Sequence, residues 1–311
     1  MIQLPVLGVM TTFMADSRDV TAAIHDCFGA WAALGVSSDV VSSSPAMVRI
    51  VTHGGTAAQE PPVFRHHAPD RNTLLITGAE CVGVADAARR ESVAYIPRGM
   101  TAYPVEFFDG MLEPLTLFLL GALDRQPLHA AAIARNGIAI VLAGASGAGK
   151  STLVYAARQL GFHILADEPV YVQLVPSLRV WGRRARLHLM PEAVTHFPEL
   201  RGTPPVRLPS GKSKIVINDT EPGQRYADVA GICLLTRSQS GRAALKPVDP
   251  AHVVSVMTAQ LDPGYDLFAD SIGARIARIA ERGAWSLELT ASPHDALPLL
   301  EEIAAQLEVR R

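Results

Sequence analysis

The sequence predicts an α/β chain in two domains, a small α+β domain over residues 1–125 and a larger domain over 126–311 that carries a mixed sheet. Three observations lead there. At 311 residues the chain suits two domains, or one domain with a large extension. The stretch Gly144-Ala145-Ser146-Gly147-Ala148-Gly149-Lys150-Ser151 fits G-x-x-x-x-G-K-[ST], with the apolar strand pattern Ile138–Ala143 before it and a helical pattern, Thr152 to Leu160, after it. The turn Asn136-Gly137 joins Ile138–Ala143 to an earlier apolar run, Leu128–Ala134, which makes the two an antiparallel hairpin.

In chain order, Thr21–Leu34 is expected to be an amphipathic helix, with Ile24, Phe28, Trp31 and Leu34 on one face. Short strands follow near Met47–Thr52 and Thr73–Thr77, separated by the polar loop Gln59–Asn72. His66 and His67 in that loop have no third ligand at a convincing spacing, so a solvated loop is the favoured reading over a metal site. This first domain is expected to serve substrate docking or oligomerisation. Asp109–Leu123 reads as a mostly apolar helix leading into the second domain.

Beyond the glycine-rich loop, Gly161 caps its helix, and His163–Ala166 is a short strand ending in Asp167 and Glu168. Val170–Leu174 is the next strand, with a bend at Pro169. A basic cluster follows at Arg179, Arg183, Arg184 and Arg186, then a short helix within Met190–Leu200, a loop over Pro204–Gly211 and a strand over Lys212–Ile217. Val229–Leu235 reads as a fully buried strand, Ala251–Leu261 and Tyr265–Arg282 as helices, Ala284–Thr290 as a strand, and Pro293–Leu307 as a closing amphipathic helix.

Composition excludes several classes. The chain is 49% hydrophobic and 19% charged with a net charge near −2, so no global field favours nucleic acid or an anionic membrane. The longest apolar runs fall short of the ~20 residues of a membrane span, and Met1–Met14 has no basic start for a secretory signal, so a cytoplasmic protein is expected. Cys27, Cys81 and Cys233 are too far apart for a zinc knuckle and odd in number, which favours idle thiols.

The chemistry centres on the phosphate loop. Its glycines let backbone N–H groups turn inward around a phosphate chain, and the helix that follows adds partial positive charge. Lys150 is then placed for the β- and γ-phosphates of ATP, and the Ser151 hydroxyl for Mg²⁺, with Thr152 beside it at the helix start. Asp167 and Glu168 lie one helix and one strand after Lys150, which brings two acids to the γ-phosphate end. One can take a proton from an attacking hydroxyl while the other holds Mg²⁺. His129, on the hairpin strand, is a candidate to orient an acid or touch phosphate, with a packed core histidine as the equal alternative. Lys212 and Lys214 alternate on one strand and are candidates to neutralise charge on the transferred group; the arginine cluster is a candidate for an acidic peptide or a phosphorylated group. For both, a solvated basic face is the plainer reading.

With those residues in place, the chain resembles the HPr kinase/phosphorylase superfamily. The resemblance runs over Pro127–Val172: Leu128-His129-Ala130, the hairpin, Gly144–Ser151, and Leu165-Ala166-Asp167-Glu168. It implies a C-terminal P-loop kinase domain of the HPr kinase/PEP-carboxykinase-like type. Asp167 matches the family's proton-transferring aspartate, Glu168 its second acid and His129 the histidine near the phosphates. Ala130 stands where the bifunctional members have glycine, and Glu168 where they have aspartate, two departures that bear on HPr as the acceptor and on the reverse reaction. The later stretches RVWGRRARLHLMPEAVTHFPEL and GKSKIVI look more like the HPr-kinase-related proteins of peptide natural-product clusters. Some of those, the lasso-peptide kinases, phosphorylate a C-terminal serine of a precursor peptide. The expectation is therefore a Mg-ATP-dependent kinase acting on a serine hydroxyl of a peptide or small protein. The alternatives are an HPr(Ser) kinase, a small-molecule hydroxyl kinase, or a non-catalytic nucleotide-binding regulatory module.

Overall fold

The computed structural model describes residues 1–33, 42–54, 60–78, 80–183, 186–208, 211–218, 225–238, 241–259, 261 and 266–310. Leu34, Gln59, Arg184 and Tyr265, which the sequence reading used, lie outside them. The chain forms two compact units, Met1–Gln126 and Pro127–Arg311.

In the first unit, β1 (Ile2–Val6) and β2 (Val9–Ala15) form a hairpin turned at Leu7 and Gly8, both at positive φ. Helix α1 (Arg18–Phe28) buries Val20 with the expected Ile24 and Phe28, but it ends earlier than the spacing predicts, and the buried Trp31 lies in a 3-10 turn over Gly29–Ala33. Then come β3 (Ser42–His53), β4 (Arg65–His67), β5 (Thr73–Gly78), β6 (Cys81–Asp86) and β7 (Glu91–Pro97), giving one sheet of seven strands in the order β1-β2-β3-β7-β6-β5-β4. The loop expected over 59–72 thus contains strand β4, whose His66 ring bonds the Gly110 carbonyl at 2.8 Å. Pro104 starts the following helical stretch earlier than expected, as α2 (Pro104–Phe107), a π-turn (Phe108–Leu112) and α3 (Glu113–Ala122), because proline at the first position pre-sets helical φ.

The second unit is built on a six-stranded mixed sheet. Its hairpin pairs β9 (Ala131–Arg135) with β10 (Ile138–Ala143), after a short β8 (Gln126–Leu128). Asn136 and Gly137 take the left-handed backbone that the turn requires. After α4 (Lys150–Ala157) come β11 (His163–Asp167), β12 (Val170–Gln173), β13 (Arg179–Trp181), β14 (Arg186–Leu189), β15 (Val206–Arg207), β16 (Ser213–Asn218), β17 (Tyr226–Ala227) and β18 (Val229–Arg237). The chain ends with β19 (Ala244–Pro247), α5 (Pro250–Thr258), α6 (Ala269–Ala280), β20 (Ala284–Leu289) and α7 (Leu297–Val309). Sheet order is β11-β9-β10-β18-β20-β19, with β10 antiparallel to β9 on one side and parallel to β18 on the other.

Strand β10 is buried on both faces. Ile138, Ile140 and Leu142 pack with Leu153, Leu300 and Leu307 from α4 and α7, while Ala139, Val141 and Ala143 face Ile272, Ile276 and Val253 from α6 and α5. Arg135 clamps α7 to the hairpin with two bonds to Glu301, at 2.8 and 2.6 Å. A smaller sheet, β17-β13-β12-β8, also holds Arg179, which is buried and bonded to Asp228 at 2.7 Å. That member of the basic cluster is therefore structural. A third sheet runs β14-β16-β15. Among the described residues no helix is long and apolar enough to cross a membrane, and no group of three metal-ligating side chains occurs.

Candidate active site

The ends of β10, β11 and β18 and the start of α4 meet at one cavity of about 600 Å³. Ala143 leads into a loop in which Gly144, Gly147 and Gly149 all have positive φ, and α4 begins at Lys150. A Cβ on Gly144 would stand 3.0 Å from the Leu235 carbonyl, so the loop turns against β18 through space that only glycine leaves open. Residues 145–152 line the cavity. The loop backbone and the first turn of α4 thereby present their N–H groups to a shared space, as an anion requires. The Lys150 ammonium is buried, donates to the Gly144 carbonyl at 2.7 Å and stands 3.5 Å from Glu168 Oε1.

Glu168 lines this cavity; Asp167 lies beside it, bonded to the lining residues Ser151 and His188 but not itself among them, and β11 carries an irregularity between Ile164 and Ala166, which re-aims the strand end. The Leu165 carbonyl at that irregularity lies against Gly182, where a Cβ would come within 1.9 Å of it. Glu168 itself sits at φ 70, a left-handed backbone that a glutamate rarely adopts. Its carboxylate contacts the His129 ring through Nε2. The Asp167 carboxylate instead accepts the His188 backbone N–H at 2.9 Å and a bond from the Ser151 hydroxyl. Ser151 therefore touches Asp167 in this structure, while Glu168 pairs with Lys150 and His129.

These environments drive the two carboxyls apart. Burial raises Asp167 above the usual aspartate range, against the bonds from His188 and Ser151. Burial acts the same way on Glu168, but the His129 bond and the Lys150 charge outweigh it and hold that carboxyl low. Adjacent acids with opposite shifts are what a divided proton-transfer and charge-holding task needs.

Of the remaining expected residues, Lys214 lines the cavity and its charge acts on Asp167. Lys212 is exposed and is not among the lining residues. The sequence reading missed Arg237, at the C-terminal end of β18. Its guanidinium lies 3.5 Å from the Gly147 carbonyl and 3.2 Å from that of Thr290. The signal was present in its position, since ligands of parallel strands sit beyond their carboxyl ends. Arg237→Ala should weaken nucleotide binding roughly three- to tenfold in isothermal titration, the worth of one hydrogen bond at an exposed position. An unchanged affinity would remove Arg237 from the site. His188, Met190, Glu192 and Thr290 are among the other lining residues, brought in by segments with no motif of their own.

No family model and no curated protein matches the sequence. Among solved structures the chain is similar to the HPr(Ser) kinase/phosphatase from Coxiella burnetii, at 11% identity over 60% of this chain and 98% of that one, with a TM-score of 0.31.

Proposed function

We propose that the second unit is a Mg-ATP-dependent kinase that transfers a γ-phosphate to a serine hydroxyl of a peptide or small protein. The observation that carries this reading is the convergence of the glycine loop, the buried Lys150 and the Glu168–His129 pair on one cavity, with Asp167 bonded to Ser151 beside it. The residues fit the nucleotide: glycines at positive φ leave the loop backbone open, and a buried ammonium faces the same cavity. Mg²⁺, when bound, supplies charge neutralisation on the phosphoryl oxygens, and Ser151 and Glu168 are the oxygen donors proposed for it.

Asp167 takes the proton of the attacking hydroxyl, a task suited to a carboxyl whose affinity for protons is raised. Glu168 stays ionised and holds His129 and Lys150 in place. Lys150 and Lys214 oppose the negative charge that spreads over the transferred group. The resemblance to lasso-peptide kinases narrows the proposed acceptor to a C-terminal serine of a precursor peptide.

The test is a single-turnover assay with γ-labelled ATP and a panel of acceptors: serine peptides, an HPr protein and small hydroxyl compounds. Label appearing on serine supports the proposal; bound ATP that is never transferred to any acceptor sinks it. Lys150→Ala should lower nucleotide affinity about 10- to 100-fold, the worth of one charged hydrogen bond. Normal affinity in that variant would contradict the assignment of the loop.

A further inference from the structure

The sheet β14-β16-β15 has two unlike faces. Leu187, Leu189 and Ile215 point into the core. The register pairs His188 with Val216 and Lys214 with Val206, so these four share the opposite face, and Lys212 and Met190 continue its alternation. That face is open: Met190 is 47% and Val206 51% exposed, and Lys212 is exposed. No Asp or Glu occurs on the three strands, all of whose residues are described. His188, Met190 and Lys214 also line the cavity shared by the glycine loop and Glu168, so the open face runs into that cavity.

We propose that this face docks the acceptor as an extended acidic peptide segment, with carboxylates against Lys212 and Lys214 and apolar side chains on Met190 and Val206; the inference rests on the kinase reading above for the serine that such a segment presents. Charge complementarity selects the occupant. Lys214 and the adjoining Lys212 stand on a sheet whose strands carry arginines but no Asp or Glu, and such a face attracts carboxylates. The exposed methionine just past β14 and the exposed valine on β15, on either side of them, give an apolar footing that a bare polyphosphate would not use. Lys212 lies off the nucleotide cavity and so acts on the acceptor alone.

The experiment uses the full chain and three ten-residue peptides, each with one serine, flanked by glutamates, glutamines or lysines. Binding is read by fluorescence anisotropy in the Asp167→Asn variant with Mg-ATP, and transfer by labelled phosphate in the wild type. The acidic peptide should bind at least about tenfold tighter than the neutral one, with the difference shrinking at high salt. Lys212→Glu should erase that preference and turn it toward the lysine peptide while leaving the KM for ATP unchanged. Equal binding of all three peptides overturns the docking face, as does a Lys212→Glu variant that alters the KM for ATP. So does displacement of the acidic peptide by inorganic phosphate alone. Lys212-dependent binding of the acidic peptide without any transfer would keep the docking face and defeat the kinase reading. Transfer to all three peptides alike would do the reverse.

Discussion

Asp167→Asn should reduce phosphoryl transfer by about 10²- to 10⁴-fold, the usual worth of a positioned proton acceptor, while nucleotide affinity stays the same or tightens. Asparagine keeps an oxygen for the His188 N–H and the Ser151 hydroxyl, so the local geometry survives and only the proton acceptor is lost. The direction of the Asp167 shift adds a check on pH. The acid limb of kcat/KM should lie above the ordinary aspartate value of 3.8, with activity rising as Asp167 ionises. Folded Asp167 holds its proton more tightly than the unfolded chain does, so ionising it costs stability as pH rises from 3.8 through the raised value. The asparagine variant should therefore be at least as stable as wild type at neutral pH. Loss of activity together with a lower Tm would point to misfolding, and full turnover would remove Asp167 from the chemistry.

Gly182→Ala should destabilise the second unit by about 3 kcal/mol or more, a fall in Tm of roughly 6–12 °C for a unit of this size. The added methyl would meet a backbone carbonyl, Leu165 O at 1.9 Å, and a carbonyl in a strand cannot rotate aside as a flexible side chain can. Relief requires Gly182 or the β11 irregularity to move, and that irregularity aims Asp167 and Glu168. Activity should fall further than the remaining folded fraction accounts for. Gly202→Ala serves as the control: its Cβ would meet nothing within 4 Å, and only the positive φ of 88° opposes it, at about 1 kcal/mol. Equal Tm losses in the two variants would show that close approach at Gly182 is not the cause.

Legibility of the fold followed locality. The strand, glycine loop and helix around residue 144 are consecutive, and the Asn136-Gly137 turn announces its own hairpin, so the antiparallel pairing of β9 and β10 could be read directly. The first unit was harder to read. Its β6 and β7 expose Val82, Val84, Val93 and Tyr95 on the outer face, so the alternation that marks a half-buried strand is blurred, and five of the seven strands fell outside the two expected pieces. Around the cavity, residues within one motif could be named, while Arg237, His188 and Met190 arrive from strands whose adjacency only tertiary pairing creates. The left-handed backbone of Glu168 had no sequence signal, since a glutamate before a proline predicts extended conformation.

The mixed pairing around β10 also sets an order of assembly. Its partner β9 is joined to it by a two-residue turn, whereas its partner β18 pairs Ile138 with Val229, far along the chain. Hairpins close in about 1–10 μs, and distant parallel pairings pay a larger loop-closure entropy before any contact rewards them. The hairpin should therefore gain amide protection first in pulse-labelled hydrogen exchange, with β18 and Arg237 joining later. One wall of the cavity is thus a local product of the chain, and the other waits for the rest of the unit to condense.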